Sequence, residues 1–319
     1  MSRPKLIRFA DLLGLDALRE NLQERVRSGR AAQTMLFIGP PGVGKRSLAR
    51  AWTAWLSCPN ARDNPEACGS CSTCVQLAAG TYPELLWIAV PAGKREISIE
   101  RARELKKFLA LASPEAKPRV AVVERAEALT TAAQNALLKV LEEPPPNSWI
   151  LLISSTPEGL LPTVRSRCQR IAVPPLPPHL LREALVRHGL SSAEIDPLVP
   201  LAEGSVGRAL ELRESVSVDF ARKAANFLAT LGQARYAAIA QFVEELSRPE
   251  SALEPRLQMV LAMLREQATE FSTENLPGAR IASARAQVVL RAWRTLREGY
   301  PNRTLLLEAM LLEMAQVQP

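Results

Sequence analysis

The amino-acid sequence predicts an α/β first half, built on a parallel sheet with helices on both faces, and an all-helical second half. Three observations predict it. Short apolar runs alternate with helical patterns over the first ~170 residues. Prolines at 174, 175, 177 and 178 then interrupt the chain. Beyond them apolar residues keep recurring at helical spacing, with no strand signal.

The elements follow in order. Leu18, Leu22 and Val26 share one face of a first helix. Residues 35–38, 85–90, 120–123 and 149–153 are apolar runs of strand length, continuous as strands buried on both faces require. Ile99, Ala102, Leu105 and Leu109, with Phe108 beside them, mark a helix before the third strand, and residues 132–141 form one before the fourth. The prolines stiffen a joint and bar helix continuation, which places a domain boundary there. Residues 180–188, 192–201 and 207–212 then read as short helices, and helical spacing runs from Asp219 to the end. The division is 1–174, 175–213 and 214–319, and at about 150 residues per domain a chain of 319 holds two or three domains.

Composition narrows the class. Apolar residues at 47% and charged residues at 23% suit a globular chain and exclude disorder. No apolar run reaches the ~18 residues of a membrane span. No long apolar stretch follows Met1-Ser2-Arg3-Pro4-Lys5, so a secretory leader is not expected and the cytoplasm is. The net charge of +7 is compatible with a nucleic-acid partner and equally with a solvated surface.

Gly39-Pro40-Pro41-Gly42-Val43-Gly44-Lys45 follows the first strand and opens a helix, the setting of a phosphate-binding loop. Its glycines let backbone N–H groups face phosphate, and Lys45 would reach the β- and γ-phosphates. The next residue is Arg46, where a hydroxyl should hold Mg²⁺; Ser47 comes one place late, and one helical step turns a side chain by ~100°. ATP is a candidate ligand of this degenerate loop; a vestigial loop that keeps only its shape is the other reading.

Residues 120–125 end in Glu124-Arg125, the place of the metal-binding acid and the water-activating acid. Glu124 can serve a metal; Arg125 cannot act as a base. Glu127, two residues on, is the substitute to weigh. Cys58, Cys68, Cys71 and Cys74 fall within 58–74, among the turn formers Asn60, Asp63, Asn64, Pro65, Gly69 and Ser70. Four thiolates at such spacing suit tetrahedral Zn²⁺, and a shell filled by protein is structural. Reduced free thiols are the plain alternative. Cys168 stands apart as a small buried residue.

Two further runs carry a resemblance. Ala133-Gln134-Asn135-Ala136-Leu137-Leu138-Lys139-Val140-Leu141-Glu142-Glu143-Pro144-Pro145 resembles a helix and turn shared by bacterial clamp-loader subunits and replication factor C. Ser166-Arg167-Cys168 resembles that family's Ser-Arg-Cys motif, which carries an arginine finger. Over residues 6–210 the chain is similar to the clamp-loader branch of the AAA+ ATPases, and Leu305-Leu306-Leu307-Glu308-Ala309-Met310 resembles the end of the family's collar. The resemblance implies an AAA+ RecA-like sheet with a zinc module, a small helical lid domain and an all-helical collar.

Within the family, the motor (gamma/tau) subunits have an intact phosphate loop, an Asp-Glu pair after the third strand and a long C-terminal extension, which is not expected here. Arg46, Glu124-Arg125 and Gly204-Ser205-Val206-Gly207-Arg208, with its Arg one place late, depart from them. Tyr82-Pro83-Glu84-Leu85 and the run 204–210 are similar to a non-motor subunit. The resemblance therefore implies a hetero-oligomer with motor and delta subunits that places a sliding clamp on primer-template DNA. Arg167 would act in trans on a neighbour's ATP, while this chain hydrolyses ATP poorly itself. The alternative is an ATP-hydrolysing motor subunit; a third reading is a zinc-dependent DNA-binding protein outside replication. Arg101, Arg103, Lys106 and Lys107 form a basic cluster on one predicted helix, with Glu100 and Glu104 interspersed, and Ser155 stands at the family's sensor-1 position.

Overall fold

In the computed structural model, residues 6–61, 64–111, 117–215, 217–274, 276–297, 299 and 302–317 are described. The N-terminal residues 1–5 and the turn former Asp63 read above lie outside them. The chain divides into two compact units, Met1–Leu180 and Leu181–Pro319.

The first unit runs α1 (Asp16–Arg27), β1 (Thr34–Ile38), α2 (Lys45–Ser57), α3 (Ser72–Ala79), β2 (Leu85–Ile88), α4 (Ile99–Ala110), β3 (Arg119–Glu124), α5 (Thr131–Glu142), β4 (Ser148–Ser154), α6 (Pro162–Arg165) and β5 (Gln169–Ala172). The strands form one parallel sheet in the order β2-β3-β4-β1-β5. Successive side chains point to opposite faces, so each apolar run feeds two cores. Met35, Phe37, Val120, Val122, Trp149 and Leu151 enter one, with Trp52 and Trp55 of α2. Leu36, Ala121, Val123, Ile150 and Leu152 enter the other, with Leu105 and Leu109 of α4 and Leu137 and Leu141 of α5. Trp52 is fully buried, stacked on Trp55 at 5.3 Å and edge-on to Trp149 at 6.1 Å. Thr130 caps α5 by accepting a hydrogen bond from the Ala133 N–H at 3.2 Å.

Two details differ from the sequence reading. The apolar run at 85–90 leaves the sheet after Ile88, short of Pro91, which has no N–H for a ladder. β5 was not expected: it lies at the sheet edge, and of its residues only Ile171 is buried, so it presents no apolar run.

α7 (Pro178–Arg187) bridges the division, and the second unit continues with α8 (Ser192–Ile195), α9 (Val199–Ala202), α10 (Val206–Ser215), α11 (Val218–Thr230), α12 (Tyr236–Ser247), α13 (Leu253–Glu274), α14 (Leu276–Arg297) and α15 (Arg303–Gln316). The helix expected over 192–201 is two short helices, interrupted at Asp196, Pro197 and Leu198. Pro197 lacks the N–H a continuous helix needs there. The longer stripes pack as spaced. Leu257, Val260, Leu261 and Leu264 of α13 are buried, as are Leu307, Met310, Leu311 and Met314 of α15. Phe227 stacks on Phe242 at 4.1 Å, and the Arg256 guanidinium lies 4.6 Å from the Phe220 ring.

Candidate functional site

Parallel strands bring their carboxyl ends to one edge, where open α/β sheets hold ligands. Ile38 pairs in register with Ser154, and Glu124 with Ile153. The loop after β1, Glu124 at the end of β3 and Ser155 after β4 therefore meet. Gly39 passes so close to the chain after β5 that a β-carbon there would stand 2.3 Å from the Val173 carbonyl oxygen. Gly44 opens α2 in the left-handed region, at φ 99°.

Lys45 is buried beneath this loop. Its Nζ donates to the carbonyl oxygens of Gly39 and Pro40, both at 2.6 Å, and to Ser155 Oγ at 2.9 Å. An ammonium has three N–H groups, and all three are engaged. Burial pulls its pKa below the usual lysine value, against the opposing pull of Glu127. Ser47 is half-buried one residue beyond Arg46, and Gly42 is exposed with a left-handed φ of 73°.

Arg46 points toward β3. Its guanidinium pairs with Glu124 Oε1 at 3.4 Å, while Trp87 Nε1 donates to Glu124 Oε2 at 3.0 Å. Arg46 and Arg50, one turn apart on α2, both lie against the Trp87 ring, at 5.7 and 5.4 Å from its centre. A Mg²⁺ ion at such a loop is held by a hydroxyl and a carboxylate. Here the hydroxyl position carries a cation and both carboxylate oxygens are engaged, so these residues do not fit the metal. Arg125 is exposed in the left-handed region at φ 54°, and Glu127 has one buried carboxylate oxygen without a hydrogen-bond partner.

Arg167 lies between α6 and β5. Its Nε donates to Glu142 Oε2 at 2.8 Å and a terminal nitrogen donates to the Thr163 carbonyl at 3.1 Å, with about a third of the side chain exposed (32%). The neighbouring Cys168 is buried, its thiol pushed up to about 12 by desolvation, and donates to the Val164 carbonyl.

The four other cysteines converge at the far end of α2. Cys58 caps α2, Cys71 caps the start of α3 and Cys74 lies in its first turn. All four sulfurs lie within 4.8 Å of one another. The Cys58 sulfur is 3.7 Å from that of Cys68 and 3.9 Å from that of Cys71, and Cys68 is 4.0 Å from Cys74. A tetrahedron with metal–sulfur bonds of ~2.3 Å has edges of ~3.8 Å, so the cluster is of a size to hold a metal ion. Backbone N–H groups already favour thiolate: Cys68 N–H points at Cys58 Sγ and Cys71 N–H at Cys68 Sγ, each at 3.4 Å. The N–H groups of Ser70 and Cys71 bring the Cys68 thiol down to about 5, whereas burial raises Cys58 and Cys74.

Comparison with known proteins places this arrangement. The profile of "DNA polymerase III, delta subunit" matches residues 14–177, just over half of the chain. The chain belongs to the DNA polymerase III delta-subunit family. It is similar to DNA polymerase III subunit delta′ of Pseudomonas aeruginosa, 42% identical over 150 residues that make 46% of this chain and 45% of that protein. The Escherichia coli delta′ subunit is 34% identical over 194 residues, 60% of this chain and 58% of that protein. The gamma/tau subunit of Mycobacterium bovis is 35% identical over 182 residues, 56% of this chain and 31% of that protein. The matched region thus spans about half the length of the delta′ relatives.

In this delta-family chain two of the remaining sequence candidates, Arg101 and Arg208, have local side-chain partners. Arg101 of the basic helix pairs with Glu104 at 2.5 Å, leaving Arg103, Lys106 and Lys107 exposed on α4. Ser205 Oγ accepts the Arg208 N–H at 3.1 Å, and the Arg208 side chain binds Glu203 and Gln258. Trp87, Arg50 and Glu142 were not singled out in the sequence as site residues; the i, i+4 spacing of Arg46 and Arg50 is a local signal for Arg50, and none pointed to Trp87 or to the pairing of Glu142. Among the described residues no helix is long and apolar enough to cross a membrane.

Proposed function

We propose that this chain is a delta-prime subunit of a bacterial clamp loader, a cytoplasmic hetero-oligomer with motor (gamma/tau) and delta subunits that places a sliding clamp on primer-template DNA. Residues 175–213 would serve as the lid and 214–319 as the collar. The observation that carries the reading is the state of the loop: Lys45 is bound to the loop's own carbonyls and Arg46 to Glu124. With Arg125 where the water-activating acid should stand, this chain would hydrolyse ATP poorly by itself. Its contribution to hydrolysis is Arg167, given in trans to a neighbour's γ-phosphate. A guanidinium there stabilises charge on the transferring phosphoryl group and is worth ~10³–10⁵ in rate. Glu142 holds it at the surface until a neighbour's phosphate competes for it. Zn²⁺ at the four cysteines would be structural, its shell filled by thiolates. Nucleotide, where it binds the loop, would bind unhydrolysed. DNA would be held through phosphates, without base readout, with Arg103, Lys106 and Lys107 as candidates.

The test is reconstitution with motor and delta subunits, comparing wild type with Arg167→Ala. Assembly should be intact and DNA-stimulated ATP hydrolysis reduced; unchanged hydrolysis rejects the role of Arg167. The similarity to a gamma/tau subunit keeps the motor reading in view. ATP turnover by the isolated chain at a motor's rate would favour it.

A further inference from the structure

We propose that Arg46 is a built-in replacement for the divalent metal of the phosphate loop, so that the site excludes Mg²⁺ and gains nothing from metal-bound nucleotide. The inference rests on the reading of the loop as a former nucleotide site and specifies which form of nucleotide it refuses.

Four observations carry it. Glu124 is the one carboxylate at the end of β3, and its two oxygens are divided between Arg46 at 3.4 Å and the Trp87 indole N–H at 3.0 Å. A metal on Oε1 of Glu124 would have to displace Arg46, and one on Oε2 would compete with the Trp87 N–H. Arg46 and Arg50 both lie against Trp87, so an approaching dication meets two positive charges. Arg46 also sits in the first turn of α2, where the partial positive charge at a helix N-terminus disfavours a cation. Glu124 offsets that penalty, which makes the ion pair a mutual requirement. Finally, Lys45 is anchored to Gly39, Pro40 and Ser155, so it does not compete with Arg46 for Glu124. Guanidinium does for the carboxylate what Mg²⁺ does elsewhere: it neutralises the acid. It has no open coordination position for a phosphate oxygen or a water.

The experiment measures ATP retention by the full-length chain in Mg²⁺ and in EDTA. In wild type, Mg²⁺ should leave retention unchanged, whether ATP is held or not. In Arg46→Ser, which restores a hydroxyl and frees Oε1 of Glu124, Mg²⁺ should raise retention by about tenfold, with Arg46→Lys behaving as wild type. Arg46→Ser combined with Glu124→Gln should lose the gain. A Mg²⁺-dependent gain in wild type overturns the proposal, and so does its absence in a folded Arg46→Ser protein. Should that variant not fold, Mn²⁺ titration in the presence of ATP decides. Wild type and Glu124→Gln should then hold the same amount of Mn²⁺, and a loss on substitution overturns the proposal. None of these outcomes touches Arg167, which is read only in the assembled loader.

Discussion

The two ends of helix α2 treat positive charge in opposite ways. At its C-terminal end, Cys58 joins three other thiols around a common centre, with backbone N–H groups and the side chains of Asn60 and Ser70, all uncharged, donating to the sulfurs of Cys58 and Cys68. At its N-terminal end, Lys45 and Arg46 bring positive charge with them and consume the acceptors an external ligand would use. The first end gathers four sulfurs of a size to hold a metal ion and carries no cation of its own; the second carries two. The difference teaches that ligand-type residues in the right order do not define a site. The charge already bound to them decides whether anything else can enter.

The largest expected effect is at the cysteines. If the four thiols hold a structural metal as proposed, Cys74→Ser should take metal content, measured by atomic absorption, from about one ion per chain to none and expose the 58–74 segment to protease, since such a metal and its local fold form together. A variant that keeps its metal would break the contrast between the two ends. Next comes the rod that joins them. Trp52 is enclosed between Phe9, Trp55 and Trp149, and Trp52→Ala should cost ~3–5 kcal/mol in denaturant unfolding. Both ends should loosen together, seen as faster hydrogen exchange at the loop and at 58–74. The smallest effect is at the loop. Lys45→Met keeps the aliphatic stem but strips the Gly39 and Pro40 carbonyls of their donor, and should destabilise by ~1–3 kcal/mol without any ligand present. No change would mean that the lysine serves a ligand rather than the loop.

How much of this was legible in the sequence depends on where the cause lay. Strands β1 to β4 were legible because burial on both faces writes a continuous apolar run. β5 was not, because an edge position lets Gln169 and Arg170 stand beside Ile171. The cysteine cluster was legible because all four thiols fall on one short stretch, though the hydrogen bonds that set the Cys68 thiol apart were not. At the loop, the sequence shows that Arg46 and Arg125 are out of place but not what Arg46 does instead. Trp87 and Glu124 arrive from other strands, and only the sheet order brings them to it. The same holds for Arg167, whose partner Glu142 lies 25 residues away at the end of α5.

Gly39 has a consequence for reading such chains. A larger residue there would collide with the Val173 backbone whether or not phosphate ever arrives. The scaffold itself therefore demands the first glycine of the motif. Natural selection for folding alone would keep it after the chemistry has gone, so a pattern search that scores this position is weighing architecture and reporting it as ligand affinity.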